Sequence, residues 1–211
     1  MVDYSTIPAS CQIPGLADIY RRWLPAVERG TFVEVGAYDG VGYSNTYCFC
    51  LAGWRGLQIE PDPGTFASLL ENMKGFPLVT CERVACAEGE GSVKLYTAGE
   101  LSTIVFDDNA RAWNLSEEKF TVVPTVALDV LLENHDIPPR FEVLVIDVEG
   151  AELKVLAGFD LPFWRPRLAI VETHERHTSI RNDSAQPIIR HFEAHGYCKV
   201  YTDHINSVFV T

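Results

Sequence analysis

Most of the marks that would place this chain on a membrane, on nucleic acid or around a structural metal are missing from its sequence. No apolar run approaches the roughly 20 residues that cross a bilayer. The opening segment, MVDYSTIPASCQIPG, holds neither a basic stretch nor an apolar one. A secretory leader is therefore not expected, and the cytoplasm is the expected compartment. Positive charge is scarce: 17 Lys and Arg stand against 29 Asp and Glu, a net charge of −12. Basic clusters are pairs such as Arg21-Arg22, with no stripe to track a phosphate backbone. Nucleic acid is not an expected partner, and a neutral or cationic small molecule suits the field better. No CxxC pair occurs among the six cysteines, whose closest spacings are Cys48-x-Cys50 and Cys81-x4-Cys86. A zinc site has no framework here. The cysteines read instead as small buried residues in a reducing compartment.

What is present reads as one domain of alternating strands and helices, an α/β fold with a mostly parallel sheet. Apolar residues at Leu16, Ile19, Tyr20, Trp23, Leu24 and Val27 predict an amphipathic helix over Leu16–Arg29. A buried strand follows at Thr31–Val35, then the turn GAYDG and a helix over Tyr43–Ala52, with Ser44 or Asn45 to cap it. The pattern continues with a strand at Gly56–Ile59, a helix at Gly64–Lys74 and a third strand running Leu78–Ala85. Val93–Tyr96 and Phe120–Val126 interrupt the alternation as an inserted antiparallel pair around a mobile loop at 98–119. Loops that long within a compact domain carry function or disorder, and this one is expected to shape an acceptor pocket with Phe106 and Trp113. Alternation resumes with helix Leu128–Asn134, strand Val143–Ile146, helix Gly150–Leu156, strand Leu168–Val171 and helix Ala185–Ala194. A pair at Tyr197–Tyr201 and Ser207–Val210 supplies the antiparallel closing strand.

Open α/β sheets bind ligands in the crevice beyond the carboxyl ends of their parallel strands. Those ends collect Glu34, Gly36, Asp39 and Gly40 after the first strand, and Glu60 after the second. Ala85 closes the third, Asp147, Glu149 and Glu152 follow the fourth, and Glu172, His174 and Glu175 follow the fifth. Glycines in the first turn would also suit a dinucleotide pyrophosphate. Glu34 and Asp39, however, would face that pyrophosphate with like charge. The Tyr-x3-Lys pair of a short-chain dehydrogenase is also absent. A sulfonium cofactor fits the carboxylates better, which points to S-adenosylmethionine. Glu60, about 20 to 25 residues past the glycines, is placed to accept hydrogen bonds from ribose hydroxyls. A helix cap before Pro61-Asp62-Pro63 is the plainer alternative for it.

With these residues in view, the chain resembles the FkbM-type methyltransferases. The resemblance rests on FVEVGAYDG, LQIEPDP and VPTVALDVLLENHDI leading into FEVLVIDVEGAELKVLAGF, and continues through RPRLAIVETHE and HFEAHGYCKV. Glu34 stands where many relatives carry Asp. The resemblance implies a class I methyltransferase (Rossmann-like) fold and methyl transfer from S-adenosylmethionine, typically to a hydroxyl oxygen of a sugar, glycan or natural product. Glu34, Gly36, Asp39, Gly40, Glu60 and Ala85 are the expected cofactor residues. Asp147, Glu149 and His174 are the candidates for accepting the acceptor's proton. Asp147 has a second reading as the cap of the helix that follows it, and His174 a second reading as an exposed loop residue. A divalent cation held by Asp147 and Glu172 is allowed by the residues but not expected. No cap domain is evident, which leaves room for a homodimer that closes the site. Two further readings stay open: an NAD-binding oxidoreductase, and a non-catalytic binding domain on the same fold.

Overall fold

The computed structural model describes residues 2–24, 27–112, 114–173 and 185–211. His174, Glu175 and Trp113, all named above, lie outside the described residues. Ten strands and eight helices alternate along these residues. The first half runs α1 (Leu16–Trp23), β1 (Thr31–Val35), α2 (Tyr47–Leu51), β2 (Arg55–Ile59), α3 (Pro63–Met73), β3 (Val79–Glu82), β4 (Ala85–Cys86) and β5 (Gly91–Tyr96). The second runs α4 (Asp108–Ala112), β6 (Phe120–Val126), α5 (Leu128–Asn134), β7 (Val143–Ile146), α6 (Glu152–Ala157), α7 (Leu161–Trp164), β8 (Leu168–Glu172), α8 (Ala185–Ala194), β9 (Cys198–Thr202) and β10 (Asn206–Val210).

Seven strands form one sheet in the order β3-β2-β1-β7-β8-β10-β9. Its first five strands are parallel, and β10 runs antiparallel to both β8 and β9. The order reverses between β1 and β7, which opens a crevice at their carboxyl ends. The alternation of side chains along β1 divides the core in two. Val33 and Val35 face a cluster with Leu131, Val155, Trp164, Ile188 and Phe192 from α5 to α8. Phe32 faces the other side, among Leu16, Tyr20, Phe49, Leu69 and Met73 from α1 to α3. Both faces of the central strands are thus covered, which is why β1, β7 and β8 are buried along their whole length. Among the described residues no helix is long and apolar enough to cross a membrane.

Several expected boundaries shift, each for a local reason. The first helix stops at Trp23 rather than Arg29, because Leu24 precedes a proline and leaves helical geometry at ψ 39°. The second begins at Tyr47 rather than Tyr43: Tyr43 sits at φ +58°, and Ser44 Oγ accepts the N–H groups of Thr46 and Tyr47. The helix expected from Gly150 starts at Glu152, since Glu149 and Gly150 have φ +54° and +94°. The strand expected over Leu78–Ala85 is two strands in two sheets. β3 pairs with β2, whereas β4 pairs with β6, so the inserted β5–β6 pair becomes a three-stranded sheet β4-β6-β5. The stretch between β5 and β6, expected as a mobile loop, carries a 3-10 turn at Gly99–Leu101 and α4. α7, capped by Asp160 and with Pro162 in its first turn, has no counterpart in the sequence reading.

Candidate active site

Gly36 sets the geometry of the crevice. Its φ is +84°, and a Cβ on it would stand 1.7 Å from the Asp147 carbonyl oxygen. Only glycine lets the turn after β1 lie this close to the end of β7. The turn is anchored on the other side by the Gly36 and Ala37 N–H groups, which both donate to the Ile59 carbonyl at 2.9 and 3.0 Å.

Glu60, one residue past β2, is buried and holds the turn as well. One of its oxygens accepts the Tyr38 N–H at 3.0 Å, the other the Asp62 N–H at 2.8 Å. Burial pushes its carboxyl up to about 7 against these two hydrogen bonds. The helix cap is supplied by Asp62 instead, whose Oδ1 accepts from Gly64 and Thr65. Asp39 is occupied within its own turn, where Oδ1 accepts the N–H groups of Val41 and Gly42. Gly40, at φ +76°, lies against Leu69 and Met73 of α3 and leaves no room for a side chain.

Glu34 is the buried carboxylate of β1 on the α2 side. Its parallel neighbour in register is Gln58, whose Nε2 donates to Glu34 Oε2 at 2.9 Å, and Thr46 Oγ1 donates to the same oxygen at 2.7 Å. Burial raises its carboxyl to about 7, more than these hydrogen bonds lower it.

Beyond β7 and β8 four carboxyl groups meet. Carboxylate oxygens of Asp147, Glu149 and Glu172 lie within 4.8 Å of one another. Asp147 and Glu149 are partly open to the crevice, while Glu172 and Glu152 are buried. The Glu149 N–H donates to Glu172 at 3.1 Å, and Glu152 Oε1 accepts from Val148 and Gly150 at 3.3 and 3.0 Å. The residue at the cap position of α6 is Ala151, which makes no side-chain cap, so Asp147 does not cap that helix; Glu152 instead ties down the turn before it. Glu172 hydrogen bonds with both Asp147 and Glu152. Burial raises all four groups above the usual carboxylate range, and repulsion from the neighbouring carboxylates adds to this for Glu149, Glu152 and Glu172. The group holds protons at neutral pH that isolated carboxylates would have lost.

Two cavities meet at Gly36, Tyr38, Glu100, Asp147 and Glu149, which line both. The first, of about 550 Å³, is walled by Ile59, Val84, Ala85, Cys86, Leu95 and Ile104, with Glu60 at its edge. The second, of about 680 Å³, is lined by Glu34, Gln12, Tyr43, Ser44, Asn45 and Leu101. No lysine, arginine or histidine lines either lobe among the described residues. Glu100 and its neighbours from the 3-10 turn cover the junction, so the inserted segment does help to wall the crevice. Phe106 turns away from it and packs on Tyr96, ring centroids 4.7 Å apart.

Of the residues singled out from sequence, Glu34, Gly36, Glu60, Ala85, Asp147 and Glu149 line the crevice together, with Glu172 behind them. Tyr38, Tyr43, Gln12, Asn45 and Glu100 join them without having been foreseen. The two tyrosines could have been suspected as large residues inside a glycine-rich turn; Gln12 and Glu100 reach the site only through tertiary packing.

Known proteins are similar to this chain in sequence or in fold. A hexuronic acid methyltransferase, AglP, of Haloferax volcanii is 30% identical over 162 residues, which cover 76% of this chain. The chain spans 63% of that relative's length. A putative O-methyltransferase from Klebsiella pneumoniae has a similar structure, with TM-score 0.53 at 15% identity over 97% of this chain and 83% of that one. An O-methyltransferase from Bacillus cereus, solved with SAH, has TM-score 0.51 at 14% identity, over 98% and 86%. The fold is that of the class I methyltransferases. The methyltransferase FkbM domain matches residues 34–198, a span that runs from the first carboxylate of the crevice past the last, and the chain belongs to that family.

Proposed function

We propose that this chain transfers the methyl group of S-adenosylmethionine to a hydroxyl oxygen of a sugar, glycan or natural-product acceptor. The observation that carries the reading is the pair of lobes meeting where Gly36 touches Asp147. One lobe is apolar with a carboxylate at its rim, and the other is lined by carboxylates with no opposing cation among the described residues. Adenosine suits the first, with Ala85 as wall. Glu60 keeps lone pairs for the ribose hydroxyls beyond those that take Tyr38 and Asp62. The sulfonium and ammonium suit the junction beside Glu34 and Asp147. Asp39 serves through the turn it closes. The hexuronic acid acceptor of the Haloferax relative supports a sugar.

In the transfer, the acceptor oxygen's lone pair forms the bond to the methyl carbon. The carbon–sulfur bond breaks with its electrons going to sulfur, which leaves as a neutral thioether. The hydroxyl proton passes to a carboxylate. The enzyme's main contribution is to hold oxygen, carbon and sulfur in line. Asp147 and Glu149 both face that line: Asp147, raised by burial to about 6, is ionised at neutral pH and a stronger proton acceptor than a free carboxylate, whereas Glu149, pushed up to about 9, keeps its own proton there and accepts only once it is lost. Their oxygens and those of Glu172 would also suit a hard divalent cation, but proton acceptance needs none, and an unchanged rate in EDTA is the expected outcome. His174 lies outside the described residues and remains a candidate only from sequence.

The test is turnover on a panel of hydroxylated acceptors, read as S-adenosylhomocysteine formed. Asp147→Asn should lower kcat by about 100-fold or more, in the range of a lost general base. An unchanged kcat removes Asp147 from the chemistry.

A further inference from the structure

Two tyrosines at the mouth of the second lobe hold backbone conformations that bulky side chains avoid. Tyr38 has φ +51° and Tyr43 has φ +58°. Each such residue costs about 1–3 kcal/mol, and strain of this kind persists where the surroundings fix it and gathers at functional sites. Here the fixing contacts are visible. Glu60 holds the Tyr38 N–H, and Ser10 Oγ accepts the Tyr43 N–H at 3.1 Å. The rings end 6.4 Å apart. Tyr43 is 46% exposed, so packing does not account for the conformation. The lobe that holds the rings offers the polar groups of Gln12, Ser44, Asn45, Asp147 and Glu149 beside the apolar Ala37, Leu101 and Val145. Gln12 Oε1 accepts from Asn206 and Asn45 Oδ1 accepts the Cys11 thiol, and neither residue's amide nitrogen has a hydrogen-bond partner among the described residues.

We infer that this lobe takes a neutral pyranose ring, one face stacked on Tyr43, with Gln12 and Asn45 donating to its hydroxyls and the reacting hydroxyl turned toward Asp147 and Glu149. The inference rests on the methyl-transfer reading and narrows its acceptor. An aromatic face is electron-rich and receives the polarised C–H groups of a sugar ring. The ring's edges need donors and acceptors, which the lobe supplies, whereas a flat apolar acceptor would strip water from these polar groups without replacing it. A ring carboxylate placed beside an ionised Asp147 would be repelled. The lobe therefore favours an uncharged sugar, unlike the hexuronic acid named for the Haloferax relative.

Saturation-transfer NMR tests this on the protein saturated with S-adenosylhomocysteine at pH 7.5. The probes are methyl β-D-glucopyranoside, methyl β-D-galactopyranoside, methyl β-D-glucuronopyranoside and benzyl alcohol. The neutral glycosides should receive at least threefold more saturation than the glucuronide or benzyl alcohol. Tyr43→Phe should keep the effect, and Tyr43→Gly should cut it at least fivefold. Because glycine accepts φ +58°, Tyr43→Gly should melt at the same temperature or higher and bind S-adenosylhomocysteine within twofold of wild type. The inference is overturned if no glycoside is saturated, if the charged or aromatic probe matches the neutral ones, or if Tyr43→Gly keeps its saturation. Loss of saturation together with a lower melting temperature would make Tyr43 a packing residue and overturn it as well. Failure to bind S-adenosylhomocysteine would instead remove the methyl-transfer reading beneath it.

Discussion

The two lobes of the crevice lie side by side, yet they are built on opposite lines. The first is walled by Ile59, Val84, Ala85, Cys86 and Leu95, and its carboxylate Glu60 is hydrogen bonded through both oxygens. The second gathers Glu34, Asp147 and Glu149, and the left-handed Tyr38, Tyr43 and Glu149 all line it. The apolar lobe can be filled by shape at little electrostatic expense. The carboxylate lobe holds repulsion and backbone strain before anything binds, which a cation would relieve. Selectivity for a cofactor can reside in the first and chemistry in the second.

The largest effect is expected where the lobes join. Gly36→Ala would place its methyl against the Asp147 carbonyl, a backbone contact that cannot rotate away. Thermal unfolding should show a loss of about 4 kcal/mol or more, and a melting temperature like that of wild type would break the view that this contact fixes the crevice.

A somewhat smaller effect is expected from pH. Glu34 titrates near 7 when folded against an ordinary value of 4.5. The folded state thus holds a proton that the unfolded chain releases, so stability is lost as pH rises through that window. At about 1.4 kcal/mol per pKa unit the loss reaches roughly 3 kcal/mol for this group. The melting temperature of the ligand-free protein should fall between pH 5 and 8, and Glu34→Gln should make that fall shallower. A melting temperature that rises over this range, or an equal slope in the variant, contradicts the view that burial holds a proton on Glu34 in this lobe.

The smallest effect concerns the turn that covers the junction. Gly99 sits at φ +67° with open space around its Cβ position, so Gly99→Ala adds strain without a clash. A loss of about 1 kcal/mol is expected in denaturant unfolding, with the crevice intact. A much larger loss would show that the turn, and not Gly36, organises the two lobes.

The same division governs how much could be read from the sequence. Strands β1 and β7 and helices α5 and α8 have the boundaries that periodicity predicts, because each is buried by its own pattern. Glu34, Gly36 and Glu60 were legible for a similar reason, as each sits at a strand end fixed by that pattern. The run from Leu78 to Ala85 was misread because its residues suit a strand throughout. Only the partner strands, β2 for one half and β6 for the other, decide where it breaks. The second lobe was the less legible one. Tyr43 looked like a helix start, and its left-handed backbone depends on Ser10, distant in sequence. Glu152 looked like one more first-turn acid, and its burial beside Glu172 follows from the packing of α6 on the sheet.

The most direct measurement is a calorimetric titration with S-adenosylhomocysteine of the wild-type protein and of Glu60→Ala. The expected result is that wild type binds and Glu60→Ala binds more weakly by about 1.5–3 kcal/mol, the loss of a hydrogen bond to a charged group. No binding to wild type, or equal binding by the variant, would contradict the placement of adenosine in the apolar lobe against Glu60.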